Sequence, residues 1–175
     1  MSRRTQRTGE IFLEKPSLRR QAEYLEAARR STKLHGRWVQ PARTVEKYRE
    51  LLKRARAANR LSHFVCHSTG ALVGVINISE IVRGVFQSGY LGYYAFVPHA
   101  GAGLMRAGLH LVIERAFTQY ELHRLEANIQ PQNVRSKALV QSLGFRCEGL
   151  SPRYLKIAGR WRDHERWALT SEEWK

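Results

Sequence analysis

Three short stretches of this 175-residue chain hold residue types at spacings that could do chemistry. The first is Ala100-Gly101-Ala102-Gly103, lying between an aromatic apolar run that ends at Val97 and an apolar-striped segment from 104. A glycine turn opening a helix leaves backbone N–H groups unpaired, and the helix dipole adds partial positive charge, so the pair can cradle phosphate. The two common phosphate motifs do not fit. GxxxxGK[ST] is absent, and Arg106 stands where GxGxxG needs its third glycine. A merely structural tight turn would use the same residues. The second stretch is Asn133-Val134-Arg135-Ser136. Asn133 suits a helix cap. Ser136, three residues on, shares a helical face with Leu139, Val140 and Leu143, so its hydroxyl is expected beside a cleft. The third set is acidic. Glu126 and Asn128 alternate onto one face of a strand at 123–130, where a carboxylate held partly out of water could serve as a base. A salt bridge to Arg124 is the plainer use of Glu126. Asp163, the only aspartate, sits in Trp161-Arg162-Asp163-His164, where it could anchor a cationic amine or satisfy loop amides. Glu80, at a strand end, is a weaker acid candidate.

Other reactive types are unpromising. The seven histidines are scattered. His63 and His67 share a strand face without a known metal-ligand spacing, so no metal site is expected. Cys66 and Cys147 are far apart and form no CxxC, which excludes a disulfide framework or a cysteine zinc site. Cys147 reads as a small packing residue, with no acid–histidine partnership to activate it.

The elements that must position these groups follow from periodicity. Segment 9–15 alternates as a first strand. Ser17 is expected to cap a helix over about 18–33, and Thr44 one over about 45–58. Residues 61–67 and 71–79 form a hairpin around Ser68-Thr69-Gly70. The nearly continuous apolar run at 88–97 suits a strand covered on both faces. Its aromatics, Tyr90, Tyr93, Tyr94 and Phe96, are mostly core, with Tyr93 assigned to the acceptor cleft. A long helix spans about 103–118, a strand 123–130, and a helix from Asn133 to Leu143 with Gly144 as its stop. The C-terminal part folds as a hairpin turning near Ala158-Gly159. No repeat or composition break appears, so residues 1–175 read as a single α/β domain.

Composition supports a folded protein with its own core: 43% hydrophobic and 26% charged residues over 20.2 kDa. No apolar run approaches the ~18 residues of a membrane span, and no secretory leader is evident. A reducing cytoplasm is the expected location. The formal charge is +15, and residues 1–60 carry 17 basic and 6 acidic side chains, so +11 of it lies in the first third. Such a field draws in polyanions such as RNA, a ribosome or an anionic cofactor, although a solvated arginine-rich surface is the plainer reading.

Taken together, Gly103-Leu104-Met105, His123-Arg124, Ala127-Asn128, Pro131, the run at 133–136 and Leu143-Gly144-Phe145 resemble the GNAT superfamily of N-acetyltransferases. Glu148-Gly149, Tyr154-Leu155 and the run at 161–164 bring the likeness closest to RimJ/RimL-type members, which acetylate N-termini of ribosomal proteins. The resemblance covers about 70–170. It implies a mixed, mostly antiparallel twisted sheet of about six to seven strands with about four helices, whose splayed central parallel strands form an acetyl-CoA cleft. It also implies that Ala100, Gly101, Ala102, Gly103, Leu104 and Met105 hold the pyrophosphate. Asn133 and Ser136 then lie beside the pantetheine arm, with Ser136 donating to the CoA sulfur. Three positions depart from the superfamily pattern. Ala100 replaces an Arg or Gln, Met105 replaces a small residue, and Val140 replaces a Tyr that RimJ/RimL-type relatives also lack.

An α-amino group, with a pKa near 7.7–8.0, is about one-tenth neutral at pH 7, so a carboxylate acting through water suffices as a base. The expectation is therefore direct transfer in a ternary complex. Ser136 and Glu126 are the catalytic residues, while Asn128, Asp163 and Tyr93 line the acceptor. Acetyl-CoA is the donor, with no metal. Partners are a protein N-terminus, in the leading case ribosomal, with weak RNA or ribosome association and no membrane, in a monomer or dimer. Two alternatives stay open. One is a small amine, antibiotic or aminoacyl-tRNA as acceptor. The other is a non-catalytic module holding RNA or acyl-CoA on the same fold.

Overall fold

The structure is a computed structural model that describes Arg7, Thr8 and residues 10–174. Its strands are β1 (Arg7–Thr8), β2 (Ile11–Glu14), β3 (Leu61–His67), β4 (Leu72–Val82), β5 (Ser88–Ala95), β6 (Arg124–Ile129), β7 (Arg146–Ile157) and β8 (Arg160–Thr170). They form one sheet in the order β1-β2-β3-β4-β5-β6-β8-β7, antiparallel throughout except between β5 and β6. The helices are α1 (Gln21–Arg30), α2 (Thr32–His35), α3 (Val45–Arg54), α4 (Leu104–Thr118) and α5 (Val134–Gln141). This is the expected mixed, mostly antiparallel α/β sheet. The expected six to seven strands become eight with the two-residue β1, and the four helices become five with the four-residue α2. Gly9, where the first strand was expected to begin, lies outside the described residues.

Local chemistry explains the boundaries. Thr44 accepts the Lys47 amide at 3.3 Å and caps α3 as expected. Ser17 does not cap: its hydroxyl is buried without a partner, and a 3₁₀ turn (Leu18–Arg20) precedes α1. The reason is tertiary. Arg20 in that turn is tied to Glu14 at 2.9 Å, to Glu23 at 2.6 Å and to the Gly70 carbonyl at 2.8 Å. The expected continuous helix over 18–33 also breaks at Ser31. That hydroxyl accepts the Val97 amide at 3.0 Å, while the His35 ring donates to the Ala95 carbonyl at 2.8 Å. Together α1 and α2 clamp the end of β5, just ahead of the glycine turn.

Each face of the sheet carries its own core. Helix α4 lays Leu109, Val112, Ile113 and Ala116 against Ile76, Ile78, Leu125 and Leu169. On the opposite face α1 and α3 bury Tyr24, Tyr48, Phe64 and Phe96 around Val75. Full burial of side chains of this size is worth about 1.5–3 kcal/mol each, which makes both layers rigid supports for the strands between them.

His63 on β3 is 4% exposed, and its ring Nδ1 has no partner. Burial, with Arg115 and Lys15 nearby, pushes its pKa down to about 4. The fold therefore holds neutral imidazole. Below the ordinary histidine pKa of about 6.5 the unfolded chain binds a proton that the folded chain refuses, so stability falls as pH drops toward 4. Urea melts should show wild type losing about 2 kcal/mol more than His63→Leu between pH 7 and pH 5; equal losses would show that His63 is not held neutral.

Candidate active site

The site begins where β5 and β6 part. Their parallel pairing runs Ser88↔Arg124, Gly89↔Leu125, Tyr90↔Glu126 and stops, although β5 continues to Ala95 and β6 to Ile129. Beyond Tyr90, β5 remains paired to β4, while β6 remains paired to β8 through Ile129. A cleft thus opens in the middle of the sheet, as expected.

At its far end the chain turns through Ala100–Gly103 into α4. Gly101 and Gly103 have φ of +86° and +78°, and Gly103 is the left-handed cap of the helix. A Cβ at either position would meet nothing within 4 Å, so the glycines are needed for their backbone conformation and not for room. The first amides of α4 have no partner within their own helix and face outward from this turn. Leu104 and Met105 turn their side chains into the core, which leaves only their backbone to a ligand. Met105 is accommodated by Gly74 on β4, where a Cβ would come within 2.5 Å of the Met105 sulfur and 2.6 Å of the Tyr94 carbonyl. Arg106 ties the start of α4 to Ser142 at 3.3 Å, beyond α5.

Across the cleft, Asn133 caps α5 by accepting the Ser136 amide at 3.3 Å. The Ser136 hydroxyl lies 2.6 Å from the Tyr93 hydroxyl, and Tyr93 also reaches the Ser136 carbonyl at 3.1 Å. Burial pushes the Tyr93 pKa up to about 12 against the opposing bond to Ser136, so the phenol keeps its proton. Tyr93, expected to line the acceptor, spends its hydroxyl on Ser136. Alternation along β5 turns it toward α5, with Leu91 and Ala95, while Tyr90 and Tyr94 face the other way.

That other face carries Glu126 and Asn128. Arg124 Nε donates to Glu126 Oε1 at 2.8 Å and its terminal nitrogens bond Glu148, so the plain salt bridge is present. Glu126 Oε2 makes no hydrogen bond among the described residues. Asn128 pairs across the ladder with Arg166, and both Asn128 Oδ1 and Arg166 Nε are buried without partners. Tyr90 bonds Tyr154, which raises its pKa, and burial adds to the rise. Asp163 takes the second of its two expected uses: Oδ1 accepts the Arg153 amide at 2.7 Å and so braces β7 where Arg153 has φ +50°. Neither the Tyr93–Ser136 contact nor the place of Arg166 is visible in a linear pattern, because both depend on register between distant strands and helices. Glu80 is exposed and bonded by Asn59 at 3.5 Å. Cys66 is fully buried with its thiol pushed up to about 12 by that burial, which keeps it protonated, while Cys147 is a free, exposed thiol.

A family model described as an acetyltransferase (GNAT) domain matches residues 11–146. The chain belongs to the GNAT acetyltransferase family. It is 43% identical over 103 residues to the ribosomal protein uS5-alanine N-acetyltransferase of Escherichia coli, covering 59% of this chain and 53% of that one. It is 34% identical over 106 residues to a probable N-acetyltransferase, YjcK, of Bacillus subtilis, covering 61% and 59%. The chain thus spans little more than half the length of these curated relatives. Among solved structures, Mycobacterium smegmatis RimJ in complex with CoA-disulfide superposes with a TM-score of 0.86 at 28% identity, covering 93% of this chain and 83% of that one.

Gly103→Val places a β-branched side chain at φ +78° in open space. The variant should fold with a loss of about 1–2 kcal/mol and lose at least tenfold in acetyl-CoA affinity by calorimetry. A folded variant with wild-type affinity would remove the turn from the donor site.

Proposed function

We propose that this protein transfers the acetyl group of acetyl-CoA directly to the α-amino group of a protein N-terminus, in the leading case a ribosomal one. The observation that carries this reading is the cleft between β5 and β6, closed at one end by the glycine turn and flanked by the Tyr93–Ser136 pair. The identity to the uS5-alanine enzyme supports the acceptor class. The backbone of 101–105 holds the phosphates, with no side-chain help from Ala100. Asn133 fixes the first turn of α5 and so sets where Ser136 points.

The chain's own groups then divide the work. As the amine nitrogen bonds to the thioester carbon, Glu126 Oε2 takes the amine proton through a water. As the carbon–sulfur bond breaks, Ser136 donates to the departing thiolate. Tyr93 keeps its proton and donates to Ser136, which strengthens Ser136 as a donor. Asn128 orients the amine. No acetyl-enzyme forms. A polyamine acceptor suits the site less well, because Arg166, which forms no salt bridge among the described residues, lies beside Asn128 in a chain with net charge +15.

The α1–α3 layer carries much of the basic excess, with Arg29, Lys33, Arg49, Lys53 and Arg56 exposed. We assign it weak RNA contact at the ribosome, acting in the cytoplasm. Ribosome co-sedimentation should weaken linearly on a log–log plot against salt; no co-sedimentation even at low salt would reduce the charge to solubility.

An acceptor screen with ribosomal N-terminal peptides, polyamines, aminoglycosides and aminoacyl-tRNA should find thiol release with the peptides. Ser136→Ala should lower kcat about tenfold or more, with little change in acetyl-CoA affinity. Glu126→Gln should shift the rising limb of the pH–rate profile to higher pH, because the amine must then lose its proton unaided. Wild-type kinetics in Ser136→Ala would contradict the leaving-group role, and an unchanged profile in Glu126→Gln would remove Glu126 as the base.

A further inference from the structure

A second cleft, of about 220 Å³, lies on the acceptor face between α3, the segment 39–42 and strands β3, β4 and β5. Its polar wall is Gln40, Arg54, Arg60, Ser62, Asn77 and Tyr94. The two arginines set its character. Arg60 is half-buried and donates from Nε to Ser62 Oγ at 3.3 Å, while Arg54 stands exposed at the end of α3. Neither forms a salt bridge among the described residues. Glu80, whose charge partly supports Arg60, makes no salt bridge with it and is hydrogen-bonded by Asn59 at 3.5 Å. Burial, and then the neighbouring Arg54, make the charge on Arg60 harder to hold. An anion seated between them would relieve both costs, and carboxylate fits a guanidinium fork.

The cleft is also placed relative to the reaction. Gly92 lies two residues past the last β5–β6 pair, and Gly92, Asn77 and Ser62 are register partners in one row across β5, β4 and β3. At a strand spacing of about 4.8 Å, Ser62 is roughly 10 Å from the mouth of the donor cleft. A peptide extended from the reacting amine advances about 3.3 Å per residue, so its third to fifth residues reach the arginines.

We infer that Arg54 and Arg60 form a specificity subsite for the carboxylate of an acidic side chain at the third to fifth position of the acceptor N-terminus. This rests on the proposed acetylation of protein N-termini and names the sequence feature selected there.

The test uses peptides identical except for Glu or Gln at position three, four or five, assayed with the whole protein and saturating acetyl-CoA. At one of these positions kcat/KM should be about tenfold or more higher for Glu, expressed mainly in KM. Arg60→Gln should abolish the preference and Arg54→Gln should reduce it, while the Gln peptide is acetylated as before. Free glutarate should inhibit the Glu peptide only weakly. Acetylation of Glu and Gln peptides with equal kcat/KM at all three positions would overturn the subsite and leave N-terminal acetylation standing. A preference that survives in both variants would place it elsewhere. Tight glutarate binding lost in Arg60→Gln, without peptide discrimination, would reassign the cleft to a free carboxylate and overturn the inference. Acetylation of no peptide, with another amine accepted, would remove the acceptor reading itself.

Discussion

The parting of β5 from β6 is the constraint on which the rest depends. A sheet interior normally pairs every backbone N–H and C=O, and opening one costs free energy unless other partners are supplied. Here the opening begins after Tyr90↔Glu126, because each strand is committed to its other neighbour: β5 to β4 and β6 to β8. The exposed edge of β5 thereby becomes a binding surface and not a defect. The surrounding elements hold the gap open. Two apolar layers fix the strands on both faces. The α1–α2 break pins the end of β5 through Ser31 and His35. The Tyr93–Ser136 bond joins β5 to α5 across the opening.

Electrostatics separates the two sides of this opening. On the proposed donor side the attraction for an anion would come from backbone amides at the start of α4, without a charged side chain at Ala100. On the acceptor side arginines dominate, and two of them are neutralised in pairs. Arg124 with Glu126 and Glu148, and Arg146 with Glu148 and Glu173, form a network across β6, β7 and the C-terminal end. Such partly exposed pairs add little to stability, so their main effect is to fix which carboxylate oxygens stay free. Arg54, Arg60 and Arg166 form no salt bridge among the described residues.

Much of the scaffold was legible in sequence because its elements obey simple periods. The strand Leu61–His67, the hairpin turn at Ala158-Gly159, the long helix after Gly103 and the Asn133 cap fall where residue type and spacing put them. The family likeness was legible from motifs spread over both halves of the chain. The misses share one physical origin, which is competition from distant partners. Ser17 loses its capping role to a turn fixed by Arg20, and Ser31 spends its hydroxyl on the Val97 amide. Asp163 is taken by the Arg153 amide, and Tyr93 by Ser136, 43 residues away. Met105 looked like a departure from the motif; its room comes from Gly74 on another strand, which a linear pattern cannot display.

The opening between β5 and β6 and the turn before α4 are proposed to act as one donor site. Amide hydrogen exchange with and without acetyl-CoA tests this proposal most directly. Acetyl-CoA should slow exchange in two segments together, the β5 edge over 91–95 and the first turn of α4 over 101–106, with little change in α1 and α3. Protection confined to the α1–α3 layer, or no change in either predicted segment while acetyl-CoA is bound, would contradict it.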